Sequence, residues 1–379
     1  MGEVLRHWAP AVLAWALVLT RDSGEGARRC VRWVLLGLAC SLTTQVPVVY
    51  AALGQLFGES HAARLVSHAG MLFTAWAAQE FMARVNGLPR GSRWHARWIA
   101  AAFALMCVFF AALPDLLPQS PWVMEYSLTY AAGQVPAFVA VIRLGLRYAR
   151  RAQDRVLRVS LRLVVAGTAL GLLYLLDKSV LAVAPRLGFE FPFGRTTLPS
   201  KVLPTTAYVL VLVGAALPAA RDWLDRYRLH LGLGPLWRAL YRADPAIALD
   251  PPTVPDVLVL RHLRLRLYRR VIEIRDGLLA LQPYRTPDVT TSAHARATAA
   301  GLTGRALEAA VEAEAVAAAL RARAAGAPPT SGPVPVNGGT DLVEDTLFLG
   351  QVSAAYRATT GDRPAPRPLP DLGAADHIR

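Results

Sequence analysis

Seven stretches in the first 220 residues run without a charged side chain: 7–20, 33–58, 65–79, 99–114, 126–142, 163–176 and 202–220. A helix crosses a bilayer with about 20 mostly apolar residues, and its backbone groups must be satisfied within the segment. The shorter stretches therefore draw on flanking residues whose charged heads snorkel toward water. The expected class is all-α: a polytopic membrane protein with seven transmembrane helices followed by a C-terminal soluble helical domain. The first and third spans have the least apolar margin. A content of 54% hydrophobic residues agrees with this class and is too high for an ordinary soluble chain.

The net charge of +14 looks like a nucleic-acid signal until it is divided along the chain. Residues 221–379 hold 20 arginines, no lysine and 17 carboxylates, which leaves only +3 there. The rest belongs to the first 220 residues and sits in alternate loops. Arg21, Arg28, Arg29 and Arg32 separate the first two spans, Arg84, Arg90, Arg93 and Arg97 the third and fourth, and Arg143–Arg162 surrounds the join of the fifth and sixth. Residues 115–119 carry no Lys or Arg, and 58–63 only abut Arg64. This is the positive-inside bias. It predicts the N-terminus outside, positions 93 and 151 in the cytoplasm, positions 60 and 119 outside, and a cytoplasmic C-terminal domain in a cell-membrane protein. Arg186, Arg195 and Lys201 in the last outer loop depart from it. Four arginines follow the first apolar run instead of preceding it, so a cleaved signal peptide is not expected. Cys30, Cys40 and Cys107 fall at the cytoplasmic edge or inside spans and offer no extracellular disulfide. Two Lys against 39 Arg point to a GC-rich bacterial genome.

Beyond 220 the pattern changes. In 257–281, VLVLRHLRLRLYRRVIEIRDGLLAL, the residues Leu260, Leu263, Leu267, Val271, Ile274 and Leu278 repeat at helical spacing. Leu265, Tyr268, Ile272 and Leu279 give a second stripe, and the two together predict one helix buried against two neighbours. Arg266, Arg269, Arg270 and Glu273 are spaced for ion pairs on its remaining face. After a break at 282–287, an Ala-rich helix of about 35 residues is expected to fold back on this one. The organisation predicted is a membrane domain over 1–220, a cytoplasmic helical domain over 221–326, a linker over 327–340, a terminal helix over 341–360 and a disordered tail over 361–379. Asp341 and Glu344 suit a capping box for the terminal helix.

Three segments carry a resemblance: PLWRALYRADPAIAL (235–249), RLYRRVIEIRDGLLALQPY (266–284) and DLVEDTLFLGQVSAAY (341–356). They resemble an actinobacterial family that joins a seven-helix membrane half to this cytoplasmic domain of unknown function. Its members are commonly labelled transporters. The resemblance implies no activity, cofactor or catalytic residue.

Charged groups inside spans are costly and mark function by default. Glu80 stands one turn before Arg84 and reads as an interfacial ion pair. Asp177 lies about 26 Å along the sixth span from Ser160, in the outer third of the bilayer, with Lys178 beside it. Adjacent residues point about 100° apart, so the two cannot pair along one face. Glu125 opens the fifth span and His68 lies one turn into the third, at the same level. His68, Glu125, Asp177 and Lys178 are the candidate ligand pocket, beneath Phe189, Phe191 and Phe193. Such residues are also ordinary at helix ends, where they reach the headgroups. A second signal is the repeated tripeptide Gln45-Val46-Pro47 and Gln134-Val135-Pro136, in spans of opposite direction. Each proline frees a carbonyl four residues back, Thr43 or Ala132, and is expected to kink its helix as in transporters built on inverted repeats.

No dinucleotide, P-loop, metalloprotease or serine-hydrolase motif is present, so neither an enzyme nor a cofactor is expected. His230, His262 and His294 are scattered, with no partner at a known catalytic spacing. The expected partners are the lipid bilayer, a small-molecule ligand from outside and a cytoplasmic protein, and nucleic acid is not among them. These readings point to a sensor or regulatory membrane protein that couples an outer pocket to the cytoplasmic domain. The alternative is a small-solute transporter using the kinked spans.

Overall fold

The computed structural model describes residues 2–20, 26–59, 61–87, 89–113, 121–189, 198–249, 254–260, 262–329 and 342–361. Arg21, Phe191, Phe193, Arg195, Asp341, most of the 327–340 linker and the tail from 362 lie outside them. All regular structure among the described residues is helical. The chain divides into two compact units, Met1–Ala219 and Ala220–Arg379.

The first unit contains α1 (Gly2–Thr20), α2 (Ala27–Thr44), α3 (Pro47–Phe57), α4 (Ala62–Val85), α5 (Pro89–Ala111), α6 (Val123–Arg151), α7 (Arg155–Val183) and the start of α8 (Leu198–Ala243). Four helices, α5 to α8, are long and apolar enough to cross a membrane, and α2 with α3 makes a fifth if the bent pair is one span. The other two of the seven expected spans fall short of that measure. The apolar part of α1, Trp8–Thr20, is short for a hydrocarbon core of about 30 Å. The long helix α4 is diluted by Ser67, His68, Gln79 and Glu80. Its packing accounts for this: α4 lies against α2, α3, α5 and α6, so protein surrounds it on most sides. Large apolar side chains such as Val48, Leu56, Val108, Leu173 and Val180 face outward, more than half exposed, as a bilayer requires and water does not.

Small residues let these helices approach closely. Gly37 of α2 meets Gly70 of α4 so tightly that a Cβ on Gly37 would stand 2.8 Å from the Gly70 carbonyl oxygen. Gly167 of α7 abuts the Ala207 carbonyl of α8 in the same manner, at 2.7 Å. Ser160 Oγ donates to the Gly214 carbonyl at 2.7 Å.

The two prolines behave differently. At Pro47 the helix breaks outright, with an 82° bend between α2 and α3 and Pro47 in the first turn of α3. The Thr43 carbonyl is taken by the Val46 amide at 3.1 Å. Pro136 lies inside an uninterrupted α6, where the freed Ala132 carbonyl accepts from Trp98 Nε1 at 3.1 Å. The expected pair of matched kinks is therefore one break and one repaired helix.

The second unit continues α8 and adds α9 (Leu263–Ala280), α10 (Pro287–Ala299), α11 (Gly304–Ala324) and α12 (Leu342–Thr359). At about 1.5 Å per residue the 46 residues of α8 span about 69 Å, so only the apolar portion to Ala220 is needed to cross a bilayer. The core gathers Leu229, Leu233, Leu236 and Leu240 of α8, Val271, Ile274 and Leu278 of α9, Ala313 and Val316 of α11, and Phe348 and Leu349 of α12. At Pro235 the helix lacks one donor, and Ser353 of α12 enters the ladder beside it. The Leu236 amide donates to Ser353 Oγ at 3.3 Å, and Ser353 Oγ donates to the Gly232 carbonyl at 2.7 Å.

Three expectations are corrected here. The predicted helix from 257 begins only at Leu263, because Asp256–Leu258 forms a 3-10 turn and His262 takes a left-handed φ of 55°. Only the first stripe is buried, and only from Leu263 on, since Leu260 is exposed. Leu265, Tyr268, Ile272 and Leu279 are 41 to 55% exposed, so α9 has one core face and one uncovered apolar face. The Ala-rich helix is two helices, α10 and α11, which pack on each other. Its stop is Gly301 at φ 77°, where the Leu302 amide bonds back to the Ala297 carbonyl at 3.1 Å.

Glu273 and Arg270 of α9 make tertiary hydrogen bonds. Glu273 accepts from Trp237 Nε1 at 2.7 Å and from the Leu249 amide at 3.2 Å, while Arg270 donates to Asp256 at 2.7 Å and to the His230 carbonyl at 3.1 Å. His230 is 2% exposed, and neither ring nitrogen has a hydrogen-bond partner among the described residues. Asp256, 3.8 Å away, is too far for a hydrogen bond. Burial, and then the Arg270 charge, push the ring's pKa down to about 4, with Asp256 opposing and Arg266 adding slightly. The unfolded ring takes a proton near pH 6.5 and the folded one resists, so stability is lost as pH falls below about 6.5. Denaturant unfolding of the full chain should show a loss of about 2 kcal/mol between pH 7 and pH 5, and His230→Gln should flatten that slope.

Candidate functional site

The face of α6 that meets α4 carries Tyr126, Tyr130 and Gln134 at spacing four, stacked along one side of the helix. Opposite stands His68 of α4. Its Nδ1 and the Tyr126 hydroxyl share a hydrogen bond of 2.8 Å, and its ring stacks on Tyr130 with centroids 4.0 Å apart. Gln134 is 1% exposed and lies against the Tyr130 hydroxyl. Its Nε2 is buried with no hydrogen-bond partner among the described residues. A buried donor left without an acceptor costs about 1–3 kcal/mol.

The break after α2 feeds the same region. Gln45 sits at the end of α2 and its Nε2 donates, at a long 3.4 Å, to Ser67 Oγ, which is hydrogen-bonded to Ser41 Oγ at 3.0 Å. Tyr208 of α8 reaches the Gln45 side chain, and Tyr130 has Tyr174 of α7 and Tyr208 as electrostatic neighbours. The two glutamines singled out in the sequence thus belong to one polar and aromatic cluster, built from α2, α4, α6, α7 and α8.

The four titratable candidates form three local networks. His68 belongs to the cluster just described. Asp177 and Lys178, predicted unable to pair, are joined by Ser200 of α8: Lys178 Nζ donates to Ser200 Oγ at 2.9 Å, and Ser200 Oγ donates to Asp177 Oδ2 at 2.7 Å. Lys178 also stands over the Tyr174 ring at 5.7 Å, which brings this network to the edge of the cluster. Glu125 accepts from Arg186 at 3.2 Å, and its second carboxylate oxygen is buried without a hydrogen-bond partner among the described residues. It contacts neither Asp177 nor Lys178 through any described bond. Arg64 of α4 is an electrostatic neighbour of His68, Tyr126, Tyr174 and Lys178 and supplies positive potential across the region. Glu80 and Arg84 form the expected one-turn ion pair at 2.9 Å, away from all of this.

Sequence reasoning missed the tyrosines. The Tyr126–Tyr130–Gln134 spacing was a visible signal, whereas Tyr208 and Ser200 reach the site only through tertiary packing. A further groove of 540 Å³ in the second unit is lined by Trp237, Arg238, Tyr241, Arg242 and Asp256, among others. Its Trp237 and Asp256 polar atoms are already engaged by Glu273 and Arg270.

Residues 222–358 match a family of unknown function, DUF6545, which covers most of the second unit and none of the first. No curated protein and no solved structure matches the chain. The apolar helices and this domain together fit a membrane protein of uncharacterised function.

Proposed function

We propose that the chain is a seven-span sensor or regulatory membrane protein, with its N-terminus outside and the second unit in the cytoplasm. A small solute enters from the outer side and is held in the His68–Tyr130–Gln134 cluster, with Asp177 and Lys178 at its mouth. The observation that carries this reading is the Gln134 amide, 1% exposed, whose Nε2 reaches toward the Tyr130 hydroxyl without a hydrogen bond of good geometry among the described residues. A solute with a hydrogen-bond acceptor, such as a carbonyl or carboxylate, would fill that place. A sizeable helical unit beyond the spans favours sensing, since transport alone requires none.

The alternative is transport, in line with the resemblance to a family labelled transporters. The 82° break between α2 and α3 at Gln45-Val46 favours it, as broken helices line transporter sites.

The test is a thermal-shift screen of the purified full chain against small metabolites, because a ligand that binds the folded state raises Tm. A hit should lose at least tenfold in affinity in Gln134→Leu and in Asp177→Asn. Gln134→Leu should nonetheless leave Tm without ligand unchanged or higher, since it removes an unsatisfied amide. A variant that melts lower and still binds would give Gln134 a packing role and remove the site. Uptake of the hit into proteoliposomes would select transport over sensing.

A further inference from the structure

Residues 254–260 precede α9 and are held at three points. Asp256 accepts from Arg270 at 2.7 Å, the Val257 carbonyl from Tyr227 Oη at 2.9 Å, and the Leu260 carbonyl from Trp223 Nε1 at 3.3 Å. The anchors occupy polar atoms of the segment and leave its apolar side chains outside. Val257, Leu258 and Leu260 are 61, 66 and 54% exposed. Holding a segment in place while its leucines face water is unfavourable unless something apolar covers them.

Trp223, 40% exposed, stacks on Tyr227 with ring centroids 5.3 Å apart. These two residues lie three and seven positions past Ala220, where the apolar stretch ends. Along a helix that is about 4.5 and 10 Å, in or just beyond the headgroup layer, where Trp and Tyr concentrate. Residues 254–270 contain a single carboxylate, Asp256, paired with the buried Arg270, and four further arginines.

We infer that segment 254–260 is a bilayer-surface anchor: Val257, Leu258 and Leu260 enter the interfacial layer of an anionic membrane while the neighbouring arginines meet lipid phosphates. A second copy of the chain is the poorer occupant, because it would bring the same excess of positive charge face to face. The inference rests on the 202–220 stretch crossing the membrane and not on the ligand site.

The full chain, with Cys30, Cys40 and Cys107 replaced by alanine and a bimane label on Leu258→Cys, is placed in nanodiscs of phosphatidylcholine containing about a quarter phosphatidylglycerol. Brominated acyl chains should quench this label at least twofold and should quench a label on the exposed Glu308→Cys far less. Equal emission with brominated and plain lipid overturns the anchor. Quenching that is undiminished in pure phosphatidylcholine overturns the anionic requirement. An emission shift that needs two chains per disc, with no bromine effect, assigns the patch to a second copy and overturns the proposal. If the cysteine replacements unfold the chain, deuterium uptake by 254–262 in the unaltered protein decides. It should be several-fold slower with phosphatidylglycerol than without, and equal uptake overturns the inference.

Discussion

Glu312→Ala should destabilise the second unit by about 3–5 kcal/mol, measured by denaturant unfolding of the full chain in detergent. Arg285 and Glu312 are 3 and 5% exposed, and both guanidinium Nη atoms bond the carboxylate, one of them at 3.2 Å. Removing the carboxylate strands a cation in the core, and the water it would need is excluded. A loss of that size is a large share of the roughly 5–15 kcal/mol that holds a domain folded. The double replacement Arg285→Met with Glu312→Leu should recover most of it, because a buried ion pair and a packed apolar pair of similar volume are close in free energy. A double variant no better than Glu312→Ala would mean that the geometry around the pair, not its charge, is what the core needs.

Gly37→Leu should abolish the folded first unit. An added Cβ would lie 2.5 Å from Thr74 Oγ1 and 2.8 Å from the Gly70 carbonyl oxygen, and the second of these is backbone that cannot swing away. Helices α2 and α4 would have to part, opening the contact that also places Ser41 against Ser67 at 3.0 Å. The yield of monodisperse protein on size exclusion should fall at least fivefold. Gly232→Ala is the control, since nothing lies within 4 Å of its missing Cβ. That variant should be neutral or more stable by up to about 1 kcal/mol, the helix preference of alanine over glycine. Wild-type behaviour in Gly37→Leu would mean that the α2–α4 approach is looser than drawn.

Local pattern was readable where hydrophobic burial alone decides it. The Leu263–Leu278 stripe of α9 is buried, and each uncharged run of the first 220 residues is mostly helix where it is described, with the run 33–58 broken at Gln45–Val46. Reading failed where a second force competed. Leu265, Tyr268, Ile272 and Leu279 are as apolar as the buried stripe, and periodicity cannot tell a core from an uncovered face. The Ala-rich run looked continuous because alanine favours helix strongly, yet Gly301 at positive φ ended it. In the site, His68, Gln134, Asp177 and Lys178 stood out because polar groups are costly inside a bilayer. Ser200, which joins Asp177 to Lys178, did not: a lone serine carries no local signal, and its role exists only once α8 lies beside α7.

The hydroxyl of Ser353 has a consequence for the order in which the chain is made. It bridges Gly232 and Leu236 of α8, the latter 117 residues behind it in sequence. At about 5–20 residues per second, a ribosome delivers that hydroxyl roughly 6–25 seconds after the helix it ties. Until then the Leu236 amide and the Gly232 carbonyl have each other as partners, at the four-residue spacing of an α-helix. The hydroxyl is a latch closed late in synthesis: it fastens α12 to two backbone groups of the older helix.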